Sequence, residues 1–129
     1  MTNHTPDVLP AASLEPEPAS HGAHLHVDLT RLIGAIPPDS IVSRQVHVDE
    51  RVKVTLFGFA PGQELSEHTA SVAAIMQVVT GEGVFVVDGR TVEVSPGAWV
   101  AMGPRTPHAV RANTVLYLLL TMLKGAPAA

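Results

Sequence analysis

The stretch that most constrains the fold covers residues 61–83, PGQELSEHTASVAAIMQVVTGEG. It begins with a Pro-Gly turn, continues through a polar segment that ends at His68, and enters a mostly apolar run over residues 72–80. A Gly-Glu-Gly turn closes it. Short apolar runs bounded by Gly and Pro are typical of β-strands. A second Gly- and Pro-rich stretch, residues 96–108, supplies His108 after another strand. Two histidines at strand ends predict one site inside an all-β domain.

The rest of the chain also favours strands. Residues 41–48 and 51–60 alternate polar and apolar side chains, with Asp49-Glu50 as the turn between them. Asp88-Gly89 joins residues 84–87 to 91–94, and Asp-Gly is a strong hairpin signal. Further strands are predicted over residues 98–102, 108–111 and 115–123. Eight or so short strands without a long helical pattern predict a β-sandwich or small barrel.

The N-terminal residues differ in composition from the rest. Residues 1–22 are rich in Pro, Ala and Glu and are predicted to form a flexible tail. Residues 23–39 are predicted to form an extension with a short helical turn, capped by Asp28 and ended by Gly34, or an edge strand. Residues 40–124 then form the barrel. His24 and His26, close after His21, have a spacing that could chelate a metal, but a polar edge strand is the favoured interpretation.

Composition excludes several classes of function. The 129-residue chain has 46% hydrophobic and 16% charged residues, a net charge of −4 and no cysteine. Scattered basic residues argue against nucleic-acid binding, and the missing cysteines exclude disulfides and thiolate sites. The most apolar run, residues 115–123, is about half of the ~20 residues that a membrane helix needs. No signal peptide is visible, so a cytoplasmic protein without a membrane partner is expected. Strands so poor in charge also predict a homodimer.

The spacing of glycines and histidines resembles the motifs of the cupin family. Gly62, five residues, His68 and then a strand closing at Gly81 resemble the first motif, and Gly97 with His108 eleven residues later resembles the second. The resemblance implies a double-stranded β-helix barrel of the jelly-roll kind over most of the chain. The family includes dioxygenases, isomerases, decarboxylases and binding proteins, so the fold does not name the activity.

The chain departs from the family motif at two positions that supply metal ligands in the family. Where the family has its second His this chain has Ala70, and where it has a Glu ligand this chain has Ala74. Of four ligands implied by the resemblance, His68 and His108 remain, and two imidazoles make a weak site for a divalent ion such as Fe, Mn, Zn or Ni. Without metal, the pair could serve as acid and base. For either His alone, the favoured interpretation is a partly buried side chain hydrogen-bonded to a neighbouring backbone group.

Side chains alternate between the two faces of a strand, and this period of two predicts which residues face the same way as His68 and His108. Met76 and Val78 are predicted to face inward, Glu67 to face away from His68, and Glu64 to share the face of His68 near the barrel mouth. Met76 would suit copper(I) better than iron or zinc. The predicted ligand pocket comprises Ala70, Ala74, Met76, Val78, Met102 and Val110, with Trp99 or Val100 and Tyr117 or Leu118 depending on register. Alternatively, these apolar side chains simply fill the barrel.

The favoured function is that of a small-molecule-binding or sensing module, with a weakly held divalent metal between His68 and His108. Arg105, on the loop before His108, could meet an anionic ligand at the mouth. The alternative is a metal-dependent enzyme of the dioxygenase or isomerase kind that uses the same two histidines. A mainly structural homodimer is a third interpretation.

Overall fold

The computed structural model describes residues 22–125, and the predictions for residues 1–21 lie outside this range. One short 3₁₀ helix precedes nine strands. The helix covers Leu29–Leu32, and the strands are β1 (Ile41–Val48), β2 (Val52–Phe59), β3 (Glu64–His68), β4 (Ala73–Thr80), β5 (Gly83–Val87), β6 (Arg90–Val94), β7 (Trp99–Met102), β8 (His108–Ala112) and β9 (Leu116–Leu123).

The nine strands form two antiparallel sheets. The five-stranded sheet has the order β1-β2-β9-β4-β7, and the four-stranded sheet has the order β3-β8-β5-β6. Non-consecutive neighbours such as β2-β9 and β3-β8 show that the chain crosses repeatedly between the sheets, as it does in a jelly roll. The all-β jelly-roll prediction is confirmed, with nine strands in the described residues where the sequence predicted about eight.

Both predicted hairpins are present. β1 and β2 meet at Asp49, whose carboxylate Oδ1 accepts hydrogen bonds from the backbone N–H groups of Arg51 (2.7 Å) and Val52 (2.9 Å). Between β5 and β6, Asp88 and Gly89 have φ angles of 50° and 79°. Two consecutive positive φ angles give the tight turn whose twist matches that of the flanking strands.

The core lies between the two sheets. Inward-facing side chains alternate along β4, which buries Ala74, Met76 and Val78 while its other side chains are only half-buried or exposed. The register decides between Trp99 and Val100 as the inward-facing residue of β7: Val100 pairs with Met76 and faces inward, whereas Trp99 is exposed. The buried cluster comprises Phe59, Ala74, Met76, Val78, Phe85, Val94, Met102, Val110, Ala112, Leu116 and Leu118.

The N-terminal segment covers the outer face of the five-stranded sheet. Leu56 is fully buried although its neighbours in sequence, which have the opposite orientation, face the core. A Cβ atom at Gly58 would meet the side chains of Ile33 and Ile36, so the segment that follows the 3₁₀ helix packs directly on β2. The Tyr117 hydroxyl donates a hydrogen bond to the Gly34 carbonyl from the same outer face, while Leu118 faces the core.

The helical turn forms as the sequence predicts. The Asp28 carboxylate accepts a hydrogen bond from the backbone N–H of Thr30 at 3.0 Å, as an N-cap does, and another from the Thr30 hydroxyl at 2.7 Å. These bonds, the hydroxyl bond first, lower the pKa of the Asp28 carboxyl. Residues 23–39 contain this turn and no strand, so the alternative of an edge strand there is wrong.

Three strands contain a register shift, and the one in β4 lies between Val78 and Thr80, where β4 pairs with β9. In β1 the register shifts between Gln45 and His47, and in β3 it shifts between Leu65 and His68. A bulge inserts one extra residue, so the side chains that follow it face the opposite way from what a strict period of two predicts. The shifts in β1 and β3 come directly before a histidine, and both change which surface that histidine faces.

Candidate metal and ligand site

His68 and His108 are cross-strand partners on β3 and β8. Their ring centroids are 4.2 Å apart and their ring planes are inclined by 60°. The β3 bulge makes this possible, because Leu65 pairs with inward-facing Val110 and three positions later His68 pairs with His108. His68 therefore shares a face with Leu65 and not with Glu64, and the sequence prediction for Glu64 is wrong. A strict alternation cannot anticipate the extra residue.

The two imidazoles have the same hydrogen bonding. Nδ1 of His68 is 2.8 Å from the Ser66 carbonyl oxygen, and Nδ1 of His108 is 2.8 Å from the Thr106 carbonyl oxygen. A carbonyl can only accept, so each Nδ1 carries the proton and donates it. The lone pair of each neutral ring then lies on Nε2. Backbone carbonyls commonly orient metal-binding histidines in this way, so the pair fits a metal bound through two Nε2 atoms.

The two rings differ in solvent access. His108 is 5% exposed and is the one buried polar or charged side chain in the core of the described residues, whereas His68 is exposed. The pair thus lies where the core between the sheets meets solvent. An ion or small molecule could reach the His68 side without opening the fold, while the His108 side is shielded from water.

The alanines that replace the family's ligands lie on different elements. Ala74 is 4% exposed, faces the core and pairs with Met102 on β7. Ala70 lies on the loop between β3 and β4, and its carbonyl accepts a hydrogen bond from the backbone N–H of Arg105 at 2.7 Å. Arg105 has a φ of 63°, a left-handed conformation that is uncommon for residues other than glycine. This bond ties the loop after His68 to the loop before His108.

In the part of the chain that the structure describes, no third donor completes the pair. Within residues 22–125, no group of three His, Asp or Glu side chains comes close enough together to hold one metal ion. Met76, the soft donor considered from the sequence, is 2% exposed and belongs to the core cluster together with Val78 and Val110. A metal between His68 and His108 would therefore take its other ligands from water or from a bound molecule.

A cavity of about 590 Å³ opens between β6 and β7, the edge strands of the two sheets. Two of its lining residues adjoin the histidine pair: Val87 is the cross-strand partner of His108, and Thr106 supplies the carbonyl that orients His108. Its lining is largely apolar, with three charged residues. The residues that line it are Phe85, Val87, Asp88, Arg90, Val92, Glu93, Val94, Ala98, Trp99, Val100, Ala101, Met102, Gly103 and Thr106.

Of the six predicted pocket residues, Met102 lines this cavity, together with Val100 and Trp99, which the sequence left as alternatives. The other five, Ala70, Ala74, Met76, Val78 and Val110, do not line it. The sequence prediction missed the contribution of the β5–β6 hairpin, namely Val87, Asp88 and Arg90. The signal for Val87 exists only in the pairing of β5 with β8, which places it beside His108. Strands far apart in sequence must pair before that neighbourhood is formed.

The glycine and histidine spacing, the jelly-roll topology and the histidine pair agree with a comparison to known families. A family model described as a cupin domain matches residues 55–122, more than half of the chain. The chain belongs to the cupin family. The match covers β2 to β9 almost completely, and the N-terminal segment and β1 lie outside it.

Solved structures support this membership. An RmlC-like cupin protein from Desulfovibrio desulfuricans is 34% identical, with a TM-score of 0.64 over 76% of this chain and 97% of that chain. A cupin superfamily protein from Desulfitobacterium hafniense DCB-2 is 22% identical, with a TM-score of 0.72 over 87% of this chain and 98% of that chain. A mutant salicylate 1,2-dioxygenase from Pseudoaminobacter salicylatoxidans is 16% identical, with a TM-score of 0.60 over 73% and 30%. The last two show the fold alone. No curated protein matched the sequence.

One further observation concerns the helices. Across residues 22–125, no helix has the length and apolar character required to span a membrane. A cytoplasmic location stays a prediction.

Proposed function

We propose that this cupin binds a small molecule at the cavity between β6 and β7, beside a divalent metal ion held weakly by Nε2 of His68 and Nε2 of His108. The observation that carries the proposal is the matched hydrogen bonding of the two rings. Each Nδ1 donates to the carbonyl two residues earlier, so both rings are fixed in the tautomer that leaves Nε2 able to bind a metal.

The metal expected here is one that accepts imidazole, such as zinc, iron, nickel or manganese. Two protein donors leave at least two coordination positions for water or for a polar group of the ligand. A bound ion would supply a positive charge and polarise whatever ligand group contacts it.

The cavity supports a ligand that is mainly apolar. Its volume of about 590 Å³ lies within the ~300–1,000 Å³ typical of small-molecule sites. Apolar side chains such as Phe85 and Met102 form much of the wall, and Arg90 offers a guanidinium that could pair with an anionic group. Asp88 and Glu93 also line it, so a ligand with both an acceptor and a donor suits the wall better than a polyanion.

Elemental analysis of the full chain, purified without a His tag and loaded with zinc, tests the metal. The His68→Gln variant should carry one zinc ion fewer per chain than wild type, because glutamine keeps the approximate volume and removes the imidazole nitrogen. His68 is exposed, so the variant should fold. The control is His21→Gln, which should retain the wild-type zinc content. An unchanged zinc content in His68→Gln would refute metal binding at the pair.

The ligand is tested separately with an aromatic carboxylate probe, gentisate, which combines a ring with an anionic group. A salicylate 1,2-dioxygenase mutant has been solved in complex with it. Gentisate should protect the cupin against thermal unfolding, and Arg90→Gln should weaken this protection. The enzyme alternative predicts that gentisate is consumed with oxygen uptake once iron is added. Protection without turnover supports the binding module, and turnover supports the enzyme.

A further inference from the structure

A second group of imidazoles lies on the outer side of the five-stranded sheet, apart from the barrel site. His24 and His26 belong to the segment before the 3₁₀ helix, and His47 lies near the end of β1. The ring centroids of His24 and His26 are 4.8 Å apart, and those of His24 and His47 are 5.4 Å apart. The cupin family match begins at residue 55, so all three histidines fall outside it.

The β1 bulge brings His47 to this surface. Gln45 pairs with Thr55, whereas His47 pairs with Val54, so one extra residue separates them on β1. Val54 has the same orientation as Leu56, which lies on the outer face beneath the N-terminal segment. Without the bulge, His47 would share the inward orientation of Gln45. With the bulge, His47 meets the segment that contains His24.

Each of the two central rings is hydrogen-bonded through Nε2. Nε2 of His24 is 2.9 Å from Nε2 of His26, and Nε2 of His47 is 2.9 Å from the Asp49 carboxylate. The carboxylate can only accept, so Nε2 of His47 donates, and in the neutral ring the lone pair is then on Nδ1. If His24 likewise donates from Nε2 to His26, its lone pair is also on Nδ1.

The two Nδ1 atoms are the unusual feature. Nδ1 of His24 and Nδ1 of His47 are both buried and have no hydrogen-bond partner among residues 22–125. They are the buried side-chain nitrogens and oxygens that this part of the chain leaves unpaired. Buried polar atoms are nearly always satisfied, and leaving one unpaired costs about 1–3 kcal/mol. Two unpaired buried nitrogens on adjacent rings indicate that a group other than residues 22–125 fills the gap.

We propose that His24 and His47 bind one transition-metal ion through their Nδ1 atoms, with His26 and Asp49 orienting the two rings. Two imidazoles that share an ion at ~2.0–2.1 Å, with a bond angle near tetrahedral, have ring centroids roughly 5 Å apart. The observed distance is 5.4 Å. Imidazole nitrogen is a ligand that zinc, copper and nickel accept, and water completes the shell.

The surroundings of the two rings agree with a cation. The Asp49 carboxylate accepts hydrogen bonds from His47 Nε2 and from the backbone N–H groups of Arg51 and Val52, so it holds the His47 ring in place. An orienting carboxylate makes a metal-binding histidine more basic. The nearby Lys124 ammonium donates to the backbone carbonyl of Asp49 at 2.6 Å, which leaves the carboxylate to His47 and the turn. A bound ion would tie residues 22–27 to β1.

Zinc titration of the full chain, without a His tag, tests the proposal in the His68→Gln background, where the barrel site is removed. One zinc ion per chain should still bind. His47→Gln in this background should abolish that binding, and His24→Gln should do the same. His21→Gln, which changes a histidine just outside the described residues, is the matched control and should leave the zinc stoichiometry unchanged.

A milder variant guards against misfolding of the ligand substitutions. Asp49→Asn keeps both proposed ligands and removes the carboxylate charge, so zinc affinity should fall about 10–100-fold without loss of the one-to-one stoichiometry. Hydrogen exchange locates the ion: zinc should slow exchange in residues 22–27 of the His68→Gln chain and should not do so after His47→Gln.

The results separate the two sites. If His68→Gln binds no zinc, or if His47→Gln binds as much as its parent, the proposal is wrong even where the barrel site exists. If zinc content is unchanged by His68→Gln but is lost with His47→Gln, the outer site stands and the metal of the proposed function is refuted. Unchanged affinity in Asp49→Asn would also overturn the assigned role of that carboxylate.

Discussion

Restoring the two missing donors is the most direct test of how the barrel site is aligned. Ala74 faces the core beside Met102, and Ala70 lies on the loop that follows His68. The double variant Ala70→His, Ala74→Glu should add an imidazole and a carboxylate to the His68–His108 pair. Four donors hold zinc or iron far more firmly than two, so metal affinity should rise by orders of magnitude.

The cost to the metal-free protein follows from the burial of Ala74. This side chain is 4% exposed, so glutamate there enlarges a closely packed core and buries a polar group. Overpacking costs about 1–3 kcal/mol and an uncompensated polar group about 1–3 kcal/mol. The free energy of unfolding should therefore fall by ~2–6 kcal/mol, which lowers Tm by about 10 °C or more. Metal at about 100 times its Kd would return ~2.7 kcal/mol.

The assay is competitive titration with zinc and iron, beside thermal melts with and without metal. The double variant should melt below wild type without metal and recover about 2.7 kcal/mol of the difference when metal is added at about 100 times its Kd. Ala73→Glu is the matched control, because the neighbouring side chain faces the opposite side of β4 and should gain no affinity. A folded double variant that binds metal no better than wild type would show that Ala70 and Ala74 do not occupy the ligand positions.

Three further predictions concern stability and assembly. Leu56→Ala should lower the free energy of unfolding by ~2–5 kcal/mol in denaturant melts, because this fully buried side chain fills the space under the N-terminal segment. Leu25 is 52% exposed, so the control Leu25→Ala should cost less than about 1 kcal/mol, and equal costs would show that the N-terminal segment does not cover Leu56. The pKa of the Asp49 carboxyl is lower in the folded than in the unfolded protein, so this group stabilises the fold at a pH above its pKa in the unfolded state. Wild type should therefore lose stability relative to Asp49→Asn as the pH falls from about 5 to about 2, and an equal loss of Tm in the two proteins over this range would refute the prediction. Light scattering should give a homodimer of about twice 13.6 kDa, and a monomer at micromolar concentration would count against it.

Periodicity predicted the fold because most strands obey it. The alternation along β4 placed Met76 and Val78 in the core, and Asp88-Gly89 gave the hairpin, since two positive φ angles suit that dipeptide. The family spacing paired His68 with His108, and their rings are in contact. These features depend on neighbours in sequence or on a spacing that many related chains share.

The positions of the bulges could not be predicted from periodicity. Because of the extra residue in β3, the side chain that shares a face with His68 is Leu65 and not Glu64. No local signal in the sequence marks this bulge. The contact of His24 with His47 joins an irregular segment to β1, so it depends on how the N-terminal residues pack over Leu56. Such tertiary placement has no period that a sequence could display.

The position of β9 has a consequence for the order of folding. Leu116–Leu123 is the last strand described along the chain, yet it lies at the centre of the five-stranded sheet, between β2 and β4. During synthesis, the β1–β2 hairpin and the β4–β7 pair can form early, but each exposes an open edge until β9 has been made. The nascent chain thus carries two unpaired, apolar strand edges at once. Ribosome-bound chains that stop before residue 116 should accordingly recruit chaperones, and release of β9 should end that dependence.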